Sequence, residues 1–436
     1  MSDHPSRSVS RRTVLKAGVA GAAAAAMPAP VWAQATNIPA IPDVTVRFGC
    51  FAVTNHAWTI LASQKGFLKD VGITMAGGAP KLYRFTQVVP AMQNDEIDIG
   101  GMYYGLMTQT LDKLTNFKPI LVYSFFQGKS ILGSAKKGYR SVDEFMASGM
   151  DWDTAAKAAL GQMKGKSFAV PNEPSSYPWN EFTLGLAGMA MKDTKLVAVE
   201  DPKIVQLAAG EQVDFAAPAG AVQIYQLRHQ AGWKPVMTMD QQLKHMYSGS
   251  ESPLNRFLDY DLIQVTDKYL QENRDTVFRF TSAMYRTLAY MFGPEQNQAL
   301  TQYAPFINAN AGSNLNAEAI KFIFEEMDPF FQWKDQEQVW NDPKYPLYFK
   351  NVYEPKIRQF VASGTIKDQA YDLDDIFQGK AIYEEMKAQK AQAEMLMAQL
   401  GQTLGDDRKP LYDKGKFHYD NFNYLDAVRF FEAAKA

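Results

Sequence analysis

Cysteine and histidine are scarce in this chain. Cys50 is the single cysteine among 436 residues, so an internal disulfide and a multi-thiolate metal site are both impossible. The five histidines (His4, His56, His229, His245 and His418) are scattered, and none stands in an H-x-x-x-H arrangement. G-x-S-x-G is also missing. Cys50 and His56 are near each other in sequence across a loop, a nucleophile–base candidate by proximity alone. Two GKS triplets occur, Gly128-Lys129-Ser130 and Gly165-Lys166-Ser167, but the glycine of a phosphate-binding loop is replaced by Tyr123 and Leu160. Both triplets also precede strand-like text rather than a helix, and the nucleotide reading fails. A carboxylate pair for glycoside hydrolysis stays open, because such pairs are distant in sequence and no spacing selects one. The residues assign no catalytic group, no cofactor and no metal.

What is present begins with a leader. Ser8 to Lys16 read SVSRRTVLK, an alanine-rich apolar run follows to Val31, and Ala33-Gln34-Ala35 supplies a small-residue site. Such a succession predicts an export signal over residues 1–35. Arg11-Arg12 with Leu15-Lys16 resemble the bacterial twin-arginine signal. The apolar run is too short to cross a bilayer comfortably and ends in Pro28 and Pro30. No stable membrane insertion is expected once it is removed, and the expected location is the periplasm. Arg47-Phe48-Gly49 before Cys50 lack the apolar leader of a lipid-attachment site. From residue 36 the chain holds 41 Lys+Arg against 46 Asp+Glu, a formal net charge of −5. Nucleic acid is therefore not an expected partner, since its binding needs a basic field.

The remaining length exceeds one typical core and suggests two lobes. Apolar, β-branched runs at 44–50, 71–75, 97–102 and 118–126 alternate with helix-length segments at 55–66, 83–94 and 105–114. A strand at 130–135 and a helical insertion at 141–162 follow. The rhythm then repeats: strands at KSFAVP, KLVAVE, VDFAAPA and WKPVMTM alternate with helices at 178–192, 202–209 and 221–230. Strands separated by helices predict mostly parallel sheets covered on both faces. From Val265 onward the text reads as helical, with 266–291 the longest candidate. A Lys/Gln/Ala/Glu-rich helix from residue 379 and the aromatic segment FHYDNFNYLDAVRFF close the chain. Packing back onto a lobe is the expected role of both.

In an open α/β sheet, ligands bind outside the carboxyl ends of the strands. The loops expected there hold Asn55, His56, Tyr83, Arg84, Tyr103, Gln127, Ser175, Ser176, Trp179 and Pro218. Aromatic rings would give apolar walls, while Asn, Ser, Tyr and Arg would give oriented polar contacts. Pro178 suits a first helical turn, and the N–H groups before it could hold carboxylate, sulfonate or phosphate oxygens. Simple N-capping by Ser176 is the other reading. Glu173 in the same loop favours a ligand carrying a donor or amine.

The segments ASQKGFLKDVGITM, VVPAMQNDEIDIGGM, LVYSFF, MKGKSFAVPNEPSS and GEQVDFAAPA, in this order, resemble the periplasmic solute-binding proteins of ABC transporters. The group concerned binds nitrate, taurine, aliphatic sulfonates and pyrimidine precursors. The resemblance implies an α/β, two-lobed periplasmic-binding-protein fold with parallel-rich sheets, here with a helical C-terminal extension. It divides the chain into a first lobe segment at 36–127, a second lobe at 128–246, a mainly helical return at 247–378 and an extension at 379–436. It implies capture of a small organic solute with an anionic or polar head and an apolar body, delivered to an inner-membrane ABC permease. It also implies that the residues named above, apart from Arg84, seat the ligand. Some relatives are enzymes of thiamine-precursor synthesis that depend on a cysteine cluster, a pattern from which this chain departs. A secreted enzyme on the same scaffold is the alternative.

Overall fold

The structure is a computed structural model. It describes residues 38–435 apart from 52, 85–86, 173–176, 250 and 402–403, and the side chains of 106 and 311 are likewise left aside. The leader at 1–35, Ser175 and Ser176 thus lie outside the described residues.

Among the described residues twelve strands build three sheets. They are β1 (Val44–Val46), β2 (Phe48–Phe51), β3 (Ile73–Met75), β4 (Lys81–Tyr83), β5 (Ile99–Tyr103), β6 (Phe117–Phe125), β7 (Ser130–Ser134), β8 (Ser167–Pro171), β9 (Lys195–Val199), β10 (Phe215–Ala216), β11 (Trp233–Thr238) and β12 (Tyr260–Thr266). The first five-stranded sheet has the order β4-β2-β5-β12-β6, and the second β11-β7-β10-β8-β9. Parallel pairs join β2 to β4 and β5, and β8 to β9 and β10. β12 runs antiparallel to both β5 and β6, and β7 antiparallel to β10 and β11. The small third sheet pairs β1 with β3. This is the expected α/β fold with parallel-containing sheets.

Every residue of β6 is buried although it lies at a sheet edge. Its Pro119, which has no N–H to donate, is tolerated at such an edge. The chain at 327–331 then covers that edge, with the Phe331 N–H donating to Tyr123 O at 2.7 Å and the Gln127 N–H to Met327 O at 2.8 Å. An unpaired strand edge is thereby closed to other chains. It also carries Asp328 to the end of the sheet.

Several elements differ from the sequence reading. Residues 141–162 form two helices, Val142–Met146 and Trp152–Gly161. Gly149 between them takes a positive φ of 98°, and Asp151 caps the second helix through the Thr154 N–H. Residues 83–94 are not one helix: Tyr83 ends β4, and the helix is Val88–Gln93. The segment at 55–66 shortens to a 3-10 turn at Ala57–Thr59 followed by Ile60–Gln64, and 105–114 to Gly105–Thr108. VDFAAPA contributes only Phe215–Ala216. The largest difference is β12, seven residues in the interior of the first sheet, in text the sequence reading placed in a mainly helical return.

The C-terminal helices Gly379–Leu400, Lys409–Asp420 and Tyr424–Lys435 gather a small apolar core of their own around Ala393, Leu396 and Phe431. Ile382, Met386 and Tyr424 join the main core. The extension is fixed by a buried ion pair, in which Arg279 Nε and Nη2 each donate to Asp426 at 2.8 Å. The two side chains are 2% and 1% exposed. The extension packs on the body, as the sequence led one to expect. Among the described residues no helix is long and apolar enough to cross a membrane.

Candidate ligand-binding cleft

A cavity of about 450 Å³ opens where strand ends of the two large sheets face each other. From the first sheet come the turn 53–56 after β2, Tyr103 at the end of β5, Phe126 and Lys129 after β6, and Asp261 at the start of β12. From the second come Pro171 at the end of β8 and Asn172 after it, Glu200 and Asp201 after β9, and 217–221 after β10. Trp179 and Asn180 project from the helix Tyr177–Gly185. The carboxyl ends of parallel strands meet here, which is where an α/β sheet offers a ligand seat. A more open groove of about 510 Å³ beside the helix Gln296–Ala311 includes no residue of either large sheet.

The floor of the cleft is a hydrogen-bonded network. Antiparallel register sets Asp261 opposite both Tyr103 and Ser124, so its carboxylate meets the turn after β2. Asn55 Nδ2 donates to Asp261 Oδ2 at 2.7 Å, and Ser124 Oγ to the same oxygen at 2.9 Å. His56 Nε2 lies 3.1 Å from Asp261 Oδ1, and Tyr123 Oη lies 2.6 Å from His56 Nδ1. A carboxylate can only accept, so Nε2 donates to Asp261, while Nδ1 and the Tyr123 hydroxyl share the other bond. Burial holds the Tyr123 phenol well above its usual range, which keeps it protonated. Tyr303 Oη anchors the turn by donating to Thr54 O at 2.7 Å.

Asp328 is the second carboxylate of the floor. Asn55 Nδ2 also donates to its Oδ1 at 3.1 Å, so one amide bridges two acids. Burial, and then the neighbouring Asp261, push the Asp328 carboxyl well above the usual range, while Lys129 pulls the other way. Lys129 Nζ donates to Phe257 O at 3.1 Å and lies 5.2 Å from the centre of the Phe126 ring. Desolvation lowers its ammonium to about 8, against the attraction of Asp259, Asp261 and Asp328. Behind it, Lys356 pairs with Asp259.

The opposite wall ties its loops together. Asn172 Nδ2 donates to Glu200 Oε1 at 2.9 Å. Asp201 accepts from the Ala219 N–H at 3.2 Å and the Gly220 N–H at 2.7 Å. Three strand-end loops are thus linked by side-chain bonds. Trp179 is 3% exposed, and its Nε1 donates to Gln242 Oε1 at 2.8 Å, which fixes the ring.

Of the residues singled out in the sequence, Asn55, His56, Tyr103, Trp179 and Pro218 line this one cavity. Tyr83, Arg84 and Gln127 are not among its described lining residues. Tyr83 sits on the edge strand β4, and the Arg84 N–H donates to Gln87 Oε1. Gln127 belongs to the crossover, its Nε2 donating to Glu326 O at 3.3 Å. Cys50 is wholly buried in β2, and burial alone pushes its thiol far up. With both His56 nitrogens held by Tyr123 and Asp261, the two do not make a nucleophile and base. The sequence reading missed Asp261, Asp328, Glu200 and Asp201. It met Lys129 and Ser130 only as part of a failed nucleotide motif. YDLIQVT, with its β-branched and alternating apolar residues, was the signal available for Asp261.

Comparison with known proteins agrees with this geometry. Residues 157–297 match the model of the NMT1/THI5-like family. No curated protein matches the sequence. Among solved structures, the periplasmic aliphatic sulphonate binding protein SsuA from Escherichia coli is 12% identical, with 76% of this chain and 91% of that one aligned at a TM-score of 0.51. The periplasmic sulfonate-binding protein SsuA from Methylobacillus flagellatus KT is 14% identical over 79% of this chain and 95% of that one, also at 0.51. A cysteine-to-serine mutant of the desulfurization enzyme DSZB in complex with biphenyl-2-sulfinic acid is 11% identical over 80% of this chain and 100% of that one, at 0.49. The fold is thus shared with periplasmic sulfonate-binding proteins, and residues 157–297 are similar to the NMT1/THI5-like family.

Proposed function

We propose that this protein is the substrate-binding component of an ABC importer, acting in the periplasm and delivering one small organic solute to an inner-membrane permease. One observation carries the reading: a single cavity receives side chains from the strand ends of both large sheets. Its volume of about 450 Å³ falls within the range of small-molecule sites. The chain passes from one sheet to the other at 126–129 and returns at 239–259, so two connections join the halves. Few connections leave the halves able to close on a ligand. Asn55, His56, Tyr103, Trp179 and Pro218 are the contacts proposed among the described residues, and Ser175 and Ser176 belong to the same set.

Native mass spectrometry of the purified protein tests the proposal. One co-purifying solute at one-to-one stoichiometry, released unchanged by denaturation and raising the melting temperature when added back, is the expected result. Conversion of that solute into a product would instead establish the alternative, a secreted enzyme on the same scaffold.

A further inference from the structure

Building on that reading, we infer that the solute is a cation, a protonated amine carried on an apolar, ring-sized body. Three observations meet on this point. The floor presents Asp261 and Asp328, 2% and 1% exposed, and no arginine is among the described lining residues. The amides an anion would use on the opposite wall are already taken. The Ala219 and Gly220 N–H groups, which lead into the helix Ala221–His229, donate to Asp201. An anion arriving there would compete with a carboxylate covalently held in place. Finally, the rings of Tyr103, Phe126 and Trp179 line the same space, and aromatic faces attract cations as well as apolar bodies.

Lys129 does not reverse this balance. Its ammonium is committed to Phe257 O and faces Asp259, Asp261 and Asp328, with the Lys356–Asp259 pair beyond. Asp261 has Asn55, Ser124 and His56 as donors, whereas among the described residues Asp328 shares only the Asn55 amide with it. Two buried carboxyls at one amide cannot both ionise cheaply. A ligand cation supplies the missing charge. On its arrival Asp328 gives up its proton to solvent, so affinity rises with pH wherever that carboxyl is protonated in the free protein.

Isothermal titration of the full chain with benzylamine, benzyl alcohol and phenylmethanesulfonate, at pH 6 and pH 8, tests the inference. The expected result is one-to-one binding of the amine, about tenfold or more tighter than either other compound, a difference of roughly 1.4 kcal/mol. The amine should bind more tightly at pH 8. Asp328→Asn should reduce the pH dependence to what Lys129 contributes and weaken the amine about tenfold, with cooperative unfolding retained. Asp261→Asn supplies an independent variant if that protein folds poorly. Saturable binding of the sulfonate with the amine excluded would overturn the charge assignment while leaving the binding-protein reading intact. Amine binding indifferent to both substitutions would overturn the placing of the cation. Failure of all three compounds to bind at millimolar concentration would overturn the inference, and the absence of any co-purifying solute would overturn the reading beneath it.

Discussion

Asp426 and Asp328 are both 1% exposed, yet their surroundings are opposite. Asp426 faces Arg279 through two hydrogen bonds at 2.8 Å and accepts a third from Asn423 Nδ2 at 2.7 Å. Burial pushes its carboxyl up, but the arginine bonds and charge outweigh burial and hold it below its usual range. Asp328 has burial and a second acid against it, and in its favour, among the described residues, one amide shared with Asp261 and the charge of Lys129. The first is a finished ion pair that fastens the C-terminal helices to the body. The second is a carboxyl whose compensation is incomplete, at the bottom of a cavity. Strongly perturbed, under-compensated groups gather where a protein acts on something else. The contrast separates a structural charge from a functional one.

The strongest way to break the comparison is to remove half of the finished pair. Arg279→Ala or Asp426→Ala leaves an uncompensated buried charge, and each should cost about 3–5 kcal/mol of stability. Denaturant unfolding would measure the loss, which should be the same with or without ligand. The Asp426 contribution is present above the unfolded carboxyl range and is lost as pH falls through its depressed folded value. Asp261→Ala should rank next, at about 2–3 kcal/mol, since Asn55, Ser124 and His56 lose a shared acceptor.

Asp328→Asn should move stability the other way. A raised folded pKa means that the folded protein binds more protons than the unfolded chain, so stability declines as pH climbs above the ordinary carboxyl range. The variant should therefore melt higher than the parent at pH 8, by roughly a few degrees, and the gap should close toward pH 4. Equal melting at both pH values would show that Asp328 is as well compensated as Asp426. The smallest effect belongs to the far wall. An added Cβ at Gly220 would meet the Gln223 amide oxygen, the end of a flexible side chain, and lie 3.2 Å from Asp201 Oδ2. The φ of −83° suits any residue. Gly220→Ala should then change stability by less than about 0.5 kcal/mol, while calorimetry should record weaker ligand binding.

Much of this architecture was readable in the sequence, and the exceptions have physical causes. Continuous apolar runs gave away β6 and β8, and paired loop aromatics pointed to the cleft. β12 was obscured because Asp261 and Gln264 interrupt its apolar pattern and a long helix follows directly. KLY was too short a run to separate β4 from the helix behind it. The floor itself had no local signature. Asn55 is 206 residues from Asp261 and 273 from Asp328, so only the antiparallel return of β12 and the cover on β6 bring them together. Chemistry assembled by long-range register leaves no spacing to read. Lys129 illustrates a different failure, since testing it only against a phosphate loop hid its place beside three acids.

Hydrogen–deuterium exchange of the full chain, with and without its co-purifying solute, tests the central claim most directly. A solute held between the two sheets should protect 53–56 and 126–130 on one side together with 217–223 on the other, with no change in the C-terminal helices. Protection confined to one sheet, or appearing at the helix Gln296–Ala311 instead, would contradict it.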